Sequence, residues 1–378
     1  LFFAIVFLIP CAIAKNIQTL LVCRAIDGIA FSAPMTVVGG TLADIWRAEE
    51  RGMAMATFSA APFLGPVIGP VVGGFLSDAK GWKWLYWLQL ILAGVVWIAI
   101  TFTYPARILA QKAAGLRKDT GDQPYTSIID VRTESFASYL GAYLIRPFRL
   151  LFTELIVSLV SLYMSVLYGV LYMFFVSFPV IFQEGKGYTA GITGLMFLPV
   201  AIGCGIGLLF APLINQDYLT QRAKYRGMPP AEIRLRSMMI GCWSLPIGLF
   251  ITAWTSYPHL SWVGLALGGL PMGFGFVLLY NSANNYIVDS YQHLAASALA
   301  AKTLVRSLYG AGTVLFTVQM YHKLGSQWAG SLVAFISLGC CGIPFLFYNY
   351  GAAIRKHSKY AYSGEDEEQG DISDVAEK

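Results

Sequence analysis

Arg24 falls inside an apolar span, and Asp27 follows it three residues later. That span, residues 20–43, is long enough to cross a bilayer, and an arginine in mid-bilayer costs about 2.5–3.5 kcal/mol on insertion scales. Both charges should therefore face a bundle interior and find a partner, and a spacing of three puts them within reach on one helix face. Arg24 cannot itself carry a proton, because a guanidinium does not deprotonate; an ion pair that only fixes its helix is the plainer alternative. A second constellation is aromatic and amide-rich: Tyr163, Tyr168, Tyr172 and Phe175 in one span, with Tyr280, Asn281, Asn284 and Asn285 in another. Such a surface suits amphiphilic organic molecules through stacking, cation–π contacts and adaptable hydrogen bonds, whereas aromatics at helix ends more often anchor at the membrane interface. Asp44 and Arg51 bracket a short polar turn closed by Gly52, where an aspartate also favours a helix N-terminus.

Apolar helices must hold these groups. The chain is 56% hydrophobic and only 12% charged, far from the roughly 25% charge of a soluble domain, and this marks a membrane protein. Ten apolar segments recur, at 1–14, 20–43, 53–76, 84–104, 151–182, 189–213, 237–256, 261–282, 294–321 and 328–350. All but the first approach or exceed the ~20 residues a helix needs to cross about 30 Å of hydrocarbon. Segment 1–14 reaches only about 21 Å at 1.5 Å per residue, and the chain opens on Leu1 in mid-run without a basic flank, so a missing N-terminal part is expected. Six cysteines form no CxxC pair and four histidines lie far apart, so no disulfide framework, metal site or other cofactor is indicated. Nucleophile elbows and Walker loops are also missing, which argues against an enzyme, and nothing suggests a nucleic-acid partner.

In the third segment Gly65, Gly69 and Gly73 are four apart, extended by Ala61 and Ser77, with Pro66 and Pro70 between them and Gly74 adjoining. Every fourth residue of a helix faces nearly the same way, so a groove of small side chains is expected, one that lets another helix approach backbone to backbone. The segment carrying Gly203 and Gly207 is the natural partner. The prolines each remove one N–H, which neighbouring helices and local bending tolerate.

Basic residues mark the cytoplasmic side. Twenty of the 26 fall in one set of alternate loops and five in the other, which puts the loop 105–150 and the C-terminus in the cytoplasm. That loop separates four spans from six: 1–104 is a shortened N-terminal bundle, 105–150 a linker, 151–350 a six-helix bundle and 351–378 an acidic tail with little to bury. Residues 107–118 form either a basic amphipathic helix on the inner leaflet or a solvated linker. Glu154 is expected near the cytoplasmic interface, where a carboxylate is cheap. Lys302 and Arg306, four apart, are expected to snorkel to the inner headgroups.

GPVIGPVVGG at 65–74 resembles the fifth-span antiporter motif of the major facilitator superfamily, CRAIDG at 23–28 its fourth-span RxxxG motif, and GGTLADIWRAEERG at 39–52 the cytoplasmic turn that follows. RPFRLLFTELIV, GWKWLYWLQLI and NYIVDSYQHLAASALAAKTLVRSLYGA are similar to the fungal twelve-span drug:proton antiporters in particular. The chain departs from that pattern at Asp27, where an uncharged residue is usual, at Lys302, where Asn is usual, and at Ala106 and Arg107, where an acidic turn is usual. The resemblance implies an all-α major facilitator fold with ten of twelve spans present, four plus six, acting as a monomer in the plasma membrane with cytoplasmic termini. It implies proton-coupled efflux of small amphiphilic compounds, drugs, toxins or polyamines. Arg24 and Asp27 would serve proton coupling, and Gly65, Pro66, Gly69, Pro70, Gly73 and Gly74 the antiporter motif. Asp44, Arg51 and Gly52 would form a cytoplasmic clamp, and Tyr168, Tyr172, Tyr280, Asn281 and Asn284 the substrate cavity. An inactive fragment or scaffold, and uptake of a small metabolite, are the alternatives. A weak internal repeat, Asp44 with Gly65 and Asp289 with Gly310, each 21 apart, agrees with two related halves.

Overall fold

Lipid offers a backbone no hydrogen-bond partners, so apolar runs of this length fold as helices. The computed structural model describes residues 2–45, 51–103, 112, 117, 136–224, 230–291, 294–356, 358 and 360. In chain order its α-helices are α1 Phe2–Ile13, α2 Ile17–Ile45, α3 Arg51–Lys80, α4 Lys83–Thr103, α5 Phe136–Thr153 and α6 Leu155–Phe178, then α7 Ala190–Leu195, α8 Leu198–Lys224, α9 Leu235–Trp254, α10 Trp262–Tyr291, α11 Ala295–Cys340 and α12 Gly342–Lys356. A π turn at Pro179–Glu184 extends α6 and a 3₁₀ turn at Ala231–Arg234 leads into α9. The protein is all-α, with no strand among the described residues. Six helical stretches among those residues are long and apolar enough to cross a membrane: Lys83–Ile100, Leu155–Glu184, Ala190–Gln221, Ala231–Trp254, Trp262–Tyr291 and Ala295–Arg355. The expected surface helix at 107–118, Lys112 and Arg117 apart, lies outside the described residues, as do the turn 46–50 and the tail from Glu365.

Local chemistry shapes the long helices. Pro62, Pro66 and Pro70 lie inside α3 without ending it, although each removes an N–H from the ladder. In Ala295–Cys340, Gly325 adopts φ 76° and ψ 155°, a region essentially closed to residues with a β-carbon, and the chain turns a corner there. Large apolar side chains face outward, with Leu209 76% and Leu315 78% exposed. In water such a surface would drive aggregation; in hydrocarbon it is the expected exterior.

The chain divides into two compact units, one of Leu1–Val37 and Ala79–Arg146, the other of Val38–Asp78 and Pro147–Lys378. Within the first, α1 lies along α4, burying Ala4, Leu8 and Cys11, and the Phe2 ring sits 5.9 Å from that of Trp97. Within the second, α10 packs along α8 and α9, and α6 along α11. Val67 of α3 shares the apolar core of this second unit with Phe178, Phe197 and Val200.

Candidate functional site

Arg24 and Asp27 meet as their spacing requires. Arg24 Nη1 donates to Asp27 Oδ2 at 3.3 Å and to Gln89 Oε1 of α4 at 3.4 Å, and the guanidinium lies 5.2 Å from the Tyr86 ring centroid. The two partners are unequal: the arginine side chain is 46% exposed and the aspartate 2%. Asp27 Oδ1 is buried and has no hydrogen-bond partner among the described residues. A carboxylate satisfied through one oxygen only has an acceptor to spare, and that is where a proton can sit. Gln89 and Tyr86 carry no signal in the sequence that would have tied them to Arg24.

The glycine helix makes a close contact, but not on the expected face. A β-carbon at Gly74 would lie 2.5 Å from the carbonyl oxygen of Ala190 and 2.9 Å from Gly191 Cα, and one at Gly194 would run into the carbonyl of Pro70. Asp78 Oδ2 accepts from Gly191 N–H at 2.8 Å, beside Thr189, whose hydroxyl accepts from Ile192 N–H and caps α7. Gly65 and Gly69 meet open space instead, and Gly73 is half-buried. The reason is geometric. A strict series of fours drifts about 40° per step around a helix, so Ala61 to Ser77 winds off any single partner. Val67, Pro70, Gly74 and Asp78 mix steps of three and four and hold one line. The expected partner segment, 189–213, does meet α3, but through Gly191 and Gly194 near its start rather than through its expected glycines: Gly203 of α8 faces the Leu270 carbonyl and Gly207 faces Val277, both on α10.

Lys302 and Arg306 do not reach the headgroups. Each is 1% exposed, turned inward between α6 and α10. Lys302 Nζ donates to Asn284 Oδ1 and lies 4.6 Å from the Tyr280 ring centroid. The Arg306 guanidinium lies 4.2 Å from the Tyr168 centroid and 5.3 Å from that of Tyr280. Tyr168 and Tyr172 hydroxyls are 3.4 Å apart. Close approach of α6 to α11 makes this possible, because a β-carbon at Gly169 would meet the Tyr309 ring at 2.5 Å and one at Gly310 the Tyr168 ring at 3.0 Å. The structure therefore gathers Tyr168, Tyr280 and Asn284 around two cations, with Tyr172 against Tyr168, while the Asn281 carboxamide accepts from Asn285 along its own helix at 3.0 Å. Snorkelling fails as an expectation because distance from a span's end says nothing of which face a side chain occupies.

Charged networks tie one end of the second unit. Glu154, expected at the interface, is 1% exposed and accepts from Tyr291 Oη at 2.9 Å and from Ser358 Oγ. Arg355 pairs with Glu232 at 2.7 Å, and Arg234 with Asp289 at 2.8 Å while stacking 3.3 Å from the Tyr218 centroid. Asp289 is the residue that the repeat aligns with Asp44. Asp44 lies in α2, and Arg51 and Gly52 open α3. No group of three or more metal-ligating side chains occurs among the described residues.

Comparison with known proteins places the arrangement in context. The family model of the Major Facilitator Superfamily matches residues 1–314. The chain is 58% identical over 368 residues to the MFS transporter paaT of Penicillium rubens, covering 96% of the chain and 67% of that relative. It is 42% identical to the multidrug transporter mdrA of Aspergillus fumigatus, covering 92% of the chain and 58% of the relative. With the efflux pump FUBT of Fusarium oxysporum it shares 43% identity, covering 92% of the chain and 60% of the relative. The chain thus spans 58% to 67% of the length of these curated relatives.

Proposed function

The chain belongs to the major facilitator superfamily, and from that premise we propose that it is a secondary active transporter exporting small amphiphilic compounds in exchange for protons by alternating access. One observation carries this reading: α3 seats on α7 backbone to backbone at Gly74 and Gly194, while Gly191 receives the Phe75 ring and the Asp78 carboxylate. Surfaces this smooth can part and meet again without opening large voids, and a rocking transporter needs such a closure. Relatives named as transporters and efflux pumps favour export over uptake.

In this account Arg24 and Asp27 couple the proton, which must bind one state better than the other or it could drive nothing. Asp44, Arg51 and Gly52 form the cytoplasmic clamp, and the tyrosines and Asn284 face the substrate. The polypeptide makes ten crossings, four before and six after residues 105–150, in the plasma membrane as a monomer with both termini cytoplasmic. Efflux of a compound panel from drug-sensitive cells, with and without a proton uncoupler, tests it. Uncoupler-sensitive export of at least one compound is expected. Export that persists without a proton gradient would remove the coupling, and the absence of any movement would leave a scaffold.

A further inference from the structure

Two basic side chains on one helix face, four residues apart and each 1% exposed, are costly to hold charged without an anion. The ion pairs among the described residues are Arg24–Asp27, Arg234–Asp289, Arg236–Asp217, His322–Glu184 and Arg355–Glu232, and neither Lys302 nor Arg306 takes part in any. Among the described residues, Arg306 Nε and Nη1 are buried with no hydrogen-bond partner, and the hydrogen bond of Lys302 Nζ is to the neutral Asn284 carboxamide. Ring faces of Tyr168 and Tyr280 offset part of this, but cation–π contact supplies only about 0.5–2 kcal/mol, well below the several kcal/mol that burying each ion costs. A bound negative charge would supply the missing term.

We propose that the transported compounds include aromatic organic anions, whose carboxylate is held between Lys302 and Arg306 while the ring stacks among Tyr168, Tyr172 and Tyr280. Guanidinium and carboxylate match in shape and charge, and Asn284 holds Lys302 in place while the site is empty. The two helices that flank α11 provide the aromatic walls, so charge and ring are recognised together. An amphiphilic cation would instead meet like charge at this position. The inference rests on the transport reading above and adds to it the sign of the substrate's charge.

Binding and movement are measured separately. Purified full chain is titrated with 2-naphthoate, with its uncharged amide and with tetraphenylphosphonium, following thermal stabilisation, and the same three compounds are offered to proteoliposomes. Stabilisation by naphthoate and none by the amide is expected. Lys302→Asn and Arg306→Gln should each weaken naphthoate binding about 10–100-fold, while Lys302→Arg retains most of it; this last variant keeps the test decisive if the neutral ones fold poorly. Equal stabilisation by the amide, or naphthoate binding unchanged in Lys302→Asn, overturns the proposal. If tetraphenylphosphonium moves and no carboxylate binds, the anion site is refuted and the transporter stands. If naphthoate binds yet nothing crosses, the site stands and the transporter does not.

Discussion

A charged group taken out of water has to find something to bond, and four buried groups here meet the problem in three different ways. Glu154 is served by two hydroxyls, Tyr291 and Ser358. Asp27 is served through one oxygen by Arg24. Lys302 and Arg306 are left facing rings and an amide. Arg24→Ala should leave Asp27 without a counter-charge in a buried position, and proton-driven transport in proteoliposomes under an imposed pH gradient is expected to fall at least tenfold, since removing one partner of a buried pair costs about 3 kcal/mol or more. Gln89→Ala, which removes only a 3.4 Å contact, should change the rate little; equal loss in both variants would make Arg24 a packing residue. Arg24 and Asp27 were legible as a pair because the spacing within one helix is a local property. Lys302 and Arg306 were misplaced because their partners come from α6 and α10, and no local spacing encodes that.

At the scale of elements, six apolar spans among the described residues could be read from length and apolarity, and the presence of a small-residue surface on α3 from its glycines. Which face of α3 would be used could not, because the choice depends on where α7 begins and on Asp78 accepting from the Gly191 N–H. The face in use has a direct consequence. Gly74→Leu and Gly194→Leu would put a side chain into backbone of the facing helix, overpacking at about 1–3 kcal/mol. That moves a conformational equilibrium about 5- to 150-fold toward the parted state. Gly69→Leu, at a position with open space, should perturb this arrangement far less. Cysteine accessibility at the α3–α7 contact, with transport rates beside it, measures the difference; identical effects at Gly69 and Gly74 would contradict the geometry. Asp78→Ala is expected to raise accessibility in the same assay, because Gly191 loses the acceptor for its N–H.

For the whole molecule, the length of chain between Glu232 and Arg355 makes their pair a tie across the second unit, and its depth sets its worth. That pair is 14% and 7% exposed at 2.7 Å, whereas His322 and Glu184, also at 2.7 Å, are 52% and 58% exposed. Arg355→Ala should therefore destabilise the protein by about 3 kcal/mol or more, and His322→Ala by no more than about 1 kcal/mol. Thermal unfolding of the two variants and of the partner double mutants measures this ranking, and equal losses would contradict it. One further consequence concerns α3, which comes early in the chain yet through Asp78 is held with residues 147–378. Covalent order and mechanical order therefore disagree. A chimera joined to a relative at the 105–150 loop would bring in a foreign α3 opposite the native α7, and only grafts that carry residues 38–78 together with the C-terminal portion should inherit an intact closure.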